Sequence, residues 1–251
     1  MTNAFVRKLE RFGPLDAEER EVLEMLCAGA VHHRADEELS REGPPGTISL
    51  VLSGFAYRSK LLSDGRRQIH GLFVPGDLCS HIYGSLCPGL DHVVRTLAPS
   101  LVASIPASTF QSLAQEQPRI ARALWVNTVT DDAILREWVV SLGRRTAYER
   151  MAHLFCEIFL RLQAVGLVEG QSCDLPLTQT DLGDLLGLST VHVNRVLQQL
   201  RRDELIVLKG SHLTVRDILV LGRAADLDPT YLSLDDAVTS RWPTPLRVGA
   251  A

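Results

Sequence analysis

Residues 177–208 read LTQTDLGDLLGLSTVHVNRVLQQLRRDELIVL, two short amphipathic helical patterns joined by a glycine-containing turn. Thr178 followed by Asp181 has the spacing of a capping box, in which each side chain satisfies the other residue's backbone N–H at a helix start. Leu182, Leu185 and Leu186 then share one face, so a first helix is predicted to end near Gly187. Glycine tolerates the left-handed backbone of a helix C-cap, Leu188 is placed to plug the space between two helices, and Ser189 suits the next N-cap. From there Val193, Val196, Leu197 and Leu200 repeat at i, i+3, i+4 and i+7. Thr190, Val191, Asn194, Arg195, Gln198 and Arg202 are left on the opposite face.

That face has the chemistry of a base reader. Arginine forks onto guanine O6 and N7, and asparagine or glutamine pairs twice with adenine, each good pair giving about 1–3 kcal/mol of discrimination. Ser189 and the free amides of its helix start suit a phosphate, and Thr178, Gln179 and Thr180 at the start of the first helix complete the expected DNA contacts. The alternative is an ordinary helical hairpin with a solvated polar face. The short Gly187-Leu188-Ser189 turn and the polar start of the second helix favour DNA, as does the next stretch, DELIVLKGSHLTV. Its apolar runs at 206–208 and 213–215 flank a Lys209-Gly210-Ser211 turn and read as a wing, with Lys209 toward the DNA.

The chain has 251 residues, 45% of them hydrophobic, enough for one or two domains with sizeable cores. No run approaches about 18 apolar residues, and residues 1–15 lack an apolar secretory core, so a cytoplasmic protein without a membrane span is expected. The net charge of −4 does not suit a polyanion, but the charge is uneven. Arg195, Arg201, Arg202, Lys209 and Arg216 stand against only Asp203 and Glu204 from the second helix through the wing, a local basic face of the kind phosphate contacts need. Cysteines 27, 79, 87, 156 and 173 form no CxxC pair, so neither a disulfide framework nor a zinc ribbon is suggested. An enzyme is the least supported class, because GxxxxGK[ST], GxSxG and HExxH are all absent.

Upstream the hydrophobic period changes. Phe5, Leu9 and Phe12 suggest a short helix, Gly13-Pro14 breaks it, and Val22, Leu23, Met25 and Leu26 suggest a second. From Val31 the pattern is of strands and turns. Ile48, Leu50 and Leu52 alternate, Ser53-Gly54 interrupts, and 55–62 leads into an Asp64-Gly65 hairpin. The return strand at 69–74 ends at Pro75-Gly76-Asp77, and 93–97 and 101–105 complete a small antiparallel barrel or roll. Pro106 precedes a helical segment containing Ser108, Phe110 and Leu113.

The longest helix is predicted from Pro118 to about Leu142. Ile120, Leu124, Ile134, Trp138 and Leu142 form one apolar stripe, and Val126, Val129, Ala133 and Val140 lie on a neighbouring face. A helix apolar on two sides needs more cover than one domain gives. Either the same helix of a second subunit supplies it, with Leu124, Ile134 and Trp138 as dimer contacts, or the helix is buried within its own chain. Ser141-Leu142-Gly143 reads as a hinge, and 144–164 as a helix with Ala147, Met151, Leu154, Phe155, Ile158 and Leu162 inward. The expected layout is a sensor domain at 1–117, a dimerisation helix and hinge at 118–143, a DNA-binding domain at 144–234 and a poorly ordered tail at 235–251.

Several of these motifs occur together: Gly54 after a strand, Asp64-Gly65-Arg66-Arg67-Gln68-Ile69, Pro75-Gly76-Asp77, Leu142-Gly143-Arg144-Arg145 and Leu188-Ser189-Thr190-Val191-His192-Val193-Asn194-Arg195. With them the chain resembles the Crp/Fnr superfamily of bacterial transcription regulators over about residues 9–234. The resemblance implies an α+β chain: an N-terminal antiparallel β-roll (a double-stranded β-helix of the cyclic-nucleotide-binding type), a long dimerisation α-helix and a C-terminal winged helix-turn-helix. It also implies a homodimer on a palindromic double-stranded DNA operator, in contact with RNA polymerase. Arg195 matches the family's guanine-reading arginine. Thr190 and Val191 stand at the earlier reading positions, where the best-known branches carry a glutamate one residue after the first. Valine cannot accept from cytosine N4 but packs on a thymine methyl, so a different half-site is expected. Asn194 is expected to read adenine, and His192 to touch a phosphate or stay solvated.

The sensor end departs from the family. Cyclic-nucleotide binders carry a Gly-Glu pair and then an Arg-Ser or Arg-Thr pair, whereas residues 78–97 read LCSHIYGSLCPGLDHVVRTL. There is no Gly-Glu pair, the phosphate-binding position falls near Leu90 or Asp91, and Arg95 sits further along the strand, so cyclic AMP or GMP is not expected. An N-terminal cysteine cluster is absent, so no iron–sulfur cluster is expected either. Phe73, Gly76, Asp77, Cys79, His81, Asp91, His92 and Arg95 are the candidate effector-pocket residues, for an effector of unknown identity. Cys79, His81, Cys87, Asp91 and His92 offer ligands to a metal or haem, or a redox thiol; alternatively the cysteines fill core space and the histidines sit on turns. No metal is assigned. A metal-, haem- or thiol-sensing module acting through protein partners is the alternative to the DNA-binding regulator.

Overall fold

A computed structural model of the chain describes residues 2–40, 46–80 and 93–242. Two capped helices open it: α1 (Ala4–Glu10), whose Val6 N–H donates to Asn3, and α2 (Ala17–Leu26), started by a reciprocal Asp16–Glu19 capping box. Strands β1 (Val31–His33), β2 (Glu38–Ser40), β3 (Thr47–Ser53), β4 (Ala56–Leu61), β5 (Arg67–Phe73), β6 (Val93–Thr96) and β7 (Ser100–Pro106) follow. They make two antiparallel sheets, β1-β7-β3 and β2-β6-β4-β5. The Asp64-Gly65 turn joins β4 to β5, pairing Ala56 with Phe73 at one end and Leu61 with Arg67 at the other. These are the sheets of the expected roll.

Helix α3 (Ala107–Glu116) leads into α4 (Pro118–Arg144), which has its proline in the first turn. Two expectations about α4 are corrected. The helix runs unbroken through Ser141, Leu142 and Gly143, and the break falls at Arg145 and Thr146. A capping box between Thr146 and Glu149 fixes the start of α5 (Ala147–Ala164), so that cap and not the glycine sets the corner. Leu124, Ile134 and Trp138, expected at a subunit interface, pack inside the chain. Leu124 lies against α1, α3 and the roll, whereas Trp138 and the half-buried Ile134 lie against α5. The face left open carries Trp125 and Val139, 60% and 66% exposed, together with Leu135 and Leu142.

The remainder is a winged domain: β8 (Ser172–Asp174), α6 (Gln179–Leu186), α7 (Thr190–Arg202), β9 (Ile206–Lys209), β10 (His212–Val215) and α8 (Ile218–Ala224), with sheet order β8-β10-β9. Residues 235–242, expected to be poorly ordered, include a helical turn, α9 (Asp236–Thr239), and place the Trp242 ring where a side chain on Gly222 would stand. Before them a 3₁₀ turn (Pro229–Leu232) docks on α4 and α5. The rest of the expected tail lies outside the described residues. No described helix is long and apolar enough to cross a membrane.

The apolar core continues from the roll into the winged domain. Phe55, Tyr57, Ile69, Leu72 and Val74 share a cluster with Met151, Phe155, Ile158 and Phe159 of α5 and with the buried leucines of α6 and α7. A chain of buried polar contacts crosses the same junction. Lys8 Nζ bonds Asp77 at 2.7 Å, Arg161 joins Asp77 at 2.5 Å and Glu157 at 3.0 Å, and Glu157 accepts from Trp138 Nε1 at 2.9 Å and Tyr231 Oη at 3.1 Å. Burial would raise the Asp77 carboxyl, but Arg161 and Lys8 outweigh it and hold it below the ordinary carboxylate range.

Nearby, Glu137 meets His153 at 3.5 Å and Arg145 at 2.6 Å. The hydrogen bond from His153, helped by Arg145, pulls the Glu137 carboxyl from an ordinary 4.5 down to about 2. A carboxyl depressed by folding stabilises the fold above its unfolded value, and that contribution is lost as pH falls toward the folded value. Glu137→Gln is therefore expected to flatten the acid limb of stability between pH 4.5 and about 2, measured as denaturation midpoint against pH. A limb of unchanged slope would show that Glu137 does not contribute there.

Candidate nucleic-acid interface

The helix pair is built as its sequence dictates. Thr178 Oγ1 accepts from the Asp181 N–H at 3.1 Å, and an Asp181 carboxylate oxygen accepts from the Thr178 N–H at 3.0 Å. Gly187 ends α6 in the left-handed region with φ +64°. A Cβ on Gly183 would lie 2.6 Å from the Leu188 carbonyl oxygen, so this glycine lets the turn fold closely against α6. Leu188 packs half-buried on the core, and Ser189 Oγ accepts from the His192 N–H at 3.3 Å to start α7.

Helix α7 buries Val193, Val196, Leu197 and Leu200. It leaves Thr190, Val191, His192, Asn194, Arg195, Gln198 and Arg202 exposed, with Val191 at 70%. The start of α6 lies beside this face, because Asn194 Nδ2 approaches Gln179 Oε1 at 3.5 Å and Thr178, Gln179 and Thr180 are all open to solvent. Lys209, exposed at the end of β9, lies on the wing, which Arg201 ties to α7 by donating to the Leu208 carbonyl at 3.1 Å. A polar, arginine-bearing helix face flanked by a helix start and a wing has the shape of a major-groove reader with backbone contacts on either side.

Three contacts that hold this unit were not visible in the sequence. Arg150 of α5 donates to the Leu186 carbonyl at 2.8 Å, and Arg67 and Gln68 of β5 reach across from the roll to α6. Arg67 and Gln68 fall in the Asp64–Ile69 motif, which marks a hairpin without saying what the hairpin touches.

Among the described residues, the candidate effector side chains do not converge. Phe73 and Cys79 pack with Val51, Ala56 and Val94 inside the roll. Burial pushes the Cys79 thiol far up, which disfavours a reactive thiolate and fits the core-filling alternative. Gly76 lies against the Ala4 carbonyl, and Asp77 is taken by Lys8 and Arg161. Arg95 turns to β2, bonding Glu38 at 3.2 Å and the Asp36 carbonyl at 3.0 Å. His81, Cys87, Asp91 and His92 lie outside the described residues. Among those described, no group of three His, Cys, Asp or Glu residues is placed to hold a metal.

Residues 149–224 match the Crp-like helix-turn-helix domain family. Over 177 residues the chain is 33% identical to the transcriptional activator protein FnrL of Cereibacter sphaeroides, spanning 68% of this chain and 69% of that protein. The chain belongs to the Crp/Fnr family. This Crp/Fnr protein is also 26% identical over 205 residues to the nitrogen fixation regulation protein FixK of Azorhizobium caulinodans, covering 82% of this chain and 80% of that one. Its fold matches the structure of FixK2 from Bradyrhizobium japonicum with a TM-score of 0.68 and 29% identity, over 78% of this chain and 96% of that one. It is a DNA-binding transcription regulator, and its relatives are regulators rather than enzymes. Tyr231 and Trp242 lie beyond the domain match, which ends at residue 224.

Proposed function

We propose that this regulator works as a homodimer on a two-fold symmetric operator, with α7 of each subunit in the major groove. The observation that carries the reading is the open face of α4. Trp125, Thr128, Asp132, Leu135, Val139 and Leu142 follow one another at alternating steps of three and four, a row fit to pair with its own copy. Such a pair would present the two recognition helices about 34–36 Å apart, one turn of DNA. Arg195 is assigned to guanine, Asn194 to adenine and Val191 to a thymine methyl, with Thr190 beside them. Thr178, Gln179, Thr180, Ser189, His192, Gln198, Arg202 and Lys209 are assigned to the flanking backbone. The regulator is assigned to the cytoplasm, with RNA polymerase as its partner at the promoter.

Selection of bound sequences from random duplexes by the purified protein tests this. Two inverted half-sites one helical turn apart are expected, and a single unpaired half-site would overturn the dimer. Arg195→Ala is expected to lose guanine preference at one position per half-site and about 1–3 kcal/mol of discrimination there, read by competition between matched and mismatched duplexes. Unchanged preference would remove the role given to Arg195.

A further inference from the structure

Arg67 is the first residue of β5 in the sensor roll, yet its guanidinium lies on the DNA-binding domain. Its Nη2 donates to Asp181 at 2.8 Å and its Nε to Asp184 at 2.8 Å. Tyr57 holds it from behind, accepting from Nη1 at 2.9 Å with its ring centroid 5.0 Å away. Gln68 adds a second tie, donating to the Asp184 carbonyl at 2.8 Å. Asp181 and Asp184 are the two acidic residues of α6, and both are shielded, with side chains 13% and 24% exposed.

Their position gives the contact its meaning. Asp181 stands two residues after Gln179, whose side chain touches Asn194 on the reading face. In a helix-turn-helix the first helix crosses the DNA backbone, so these carboxylates sit at the end of the protein that meets phosphates. Two uncompensated carboxylates within a Debye length of about 8 Å would oppose that approach. One guanidinium shared between them cancels half of the pair's charge and turns both oxygens inward.

We infer that Arg67 is a positioning residue for DNA binding: it neutralises the acids of α6, so that operator affinity depends on where the β4–β5 hairpin of the sensor sits. The inference rests on the DNA-reading face proposed above. It gives the roll a physical handle on the operator, because moving the hairpin away returns negative charge to the DNA side without altering a base-reading side chain.

The test is fluorescence anisotropy of the full-length protein with its selected duplex across a salt series. Arg67→Ala is expected to bind about fivefold or more weakly at low salt, with the gap closing as salt rises. Adding Asp184→Asn to that variant restores the parent's charge without touching the Thr178–Asp181 cap, and is expected to bring affinity back to within about twofold of the parent. Asp184→Asn with Arg67 intact removes one negative charge near the phosphates and is expected to tighten binding, a measurement that does not depend on whether Arg67→Ala folds well. Parental affinity in Arg67→Ala would overturn the inference. So would a double variant as weak as Arg67→Ala, which would leave Arg67 a docking role alone, or weaker binding by Asp184→Asn. If the unaltered protein binds no duplex preferentially, the DNA-reading assignment fails instead.

Discussion

Glutamate at both Leu135 and Val139 is expected to convert the regulator to a monomer and to lower its affinity for the inverted-repeat operator by about 10²–10⁴-fold, the factor lost when two linked binding events become one. Both residues belong to the row on α4 that the chain's own core leaves open, at 39% and 66% exposure. Four new carboxylates would meet along a two-fold seam from which water is excluded, a repulsion the existing charges do not relieve. Asp132, the acid already in the row, is ion-paired with Arg136 of its own helix. The altered residues are exposed, so the monomer should keep its fold and its affinity for an isolated half-site. Light scattering and titrations with whole and half operators check this. A dimer that persists in the double variant would move the interface to another surface.

Glu157→Ala is expected to destabilise the chain by about 3–5 kcal/mol, because removing one member of a buried ion pair leaves the other charge uncompensated. Glu157 is fully buried and accepts from Trp138 of α4, Arg161 of α5 and Tyr231 of the C-terminal segment. Without it Arg161 loses one of the carboxylates that balance its charge, keeping Asp77 and the more distant Asp131, and the indole and phenol donors lose their acceptor. Glu157→Gln retains an acceptor for Trp138 and should cost less than the alanine change. Urea unfolding reads the difference as a fall in midpoint at constant slope. A loss below about 1 kcal/mol for the alanine variant would mean that the site repacks or admits water.

The parts of the fold legible in the sequence are those fixed by local chemistry. The α6–α7 turn was readable because Thr178, Gly187 and Ser189 each answer to a backbone need within a few residues, and the wing because two apolar runs flank a glycine turn. Strand β8 was not, since it has three residues and one inward side chain, Cys173, and shows no alternation. The corner after α4 was placed at Gly143 because glycine weakens a helix, yet the Thr146–Glu149 cap decided it. Helix α4 was rightly read as apolar on more than one side, but which side the chain keeps for itself depends on α1, α3 and α5, which pack there from far away in sequence. Which face of α7 is buried and which is exposed was legible in full. Arg67 on α6 was not, because a contact across 114 and 117 positions leaves no local pattern.

The C-terminal docking also bears on the order in which the molecule is made. Arg11 donates to the Ser233 carbonyl, a contact between residues 222 positions apart, and Tyr231 reaches the buried Glu157. The roll and the long helix emerge from the ribosome well before the residues that complete the junction beneath them. By then the intervening elements are folded, so only the short stretch between α8 and the 3₁₀ turn is left to close, at small entropic cost. Until Tyr231 arrives, Glu157 lacks one of its donors, so the nascent regulator holds its two halves less firmly than the finished one does.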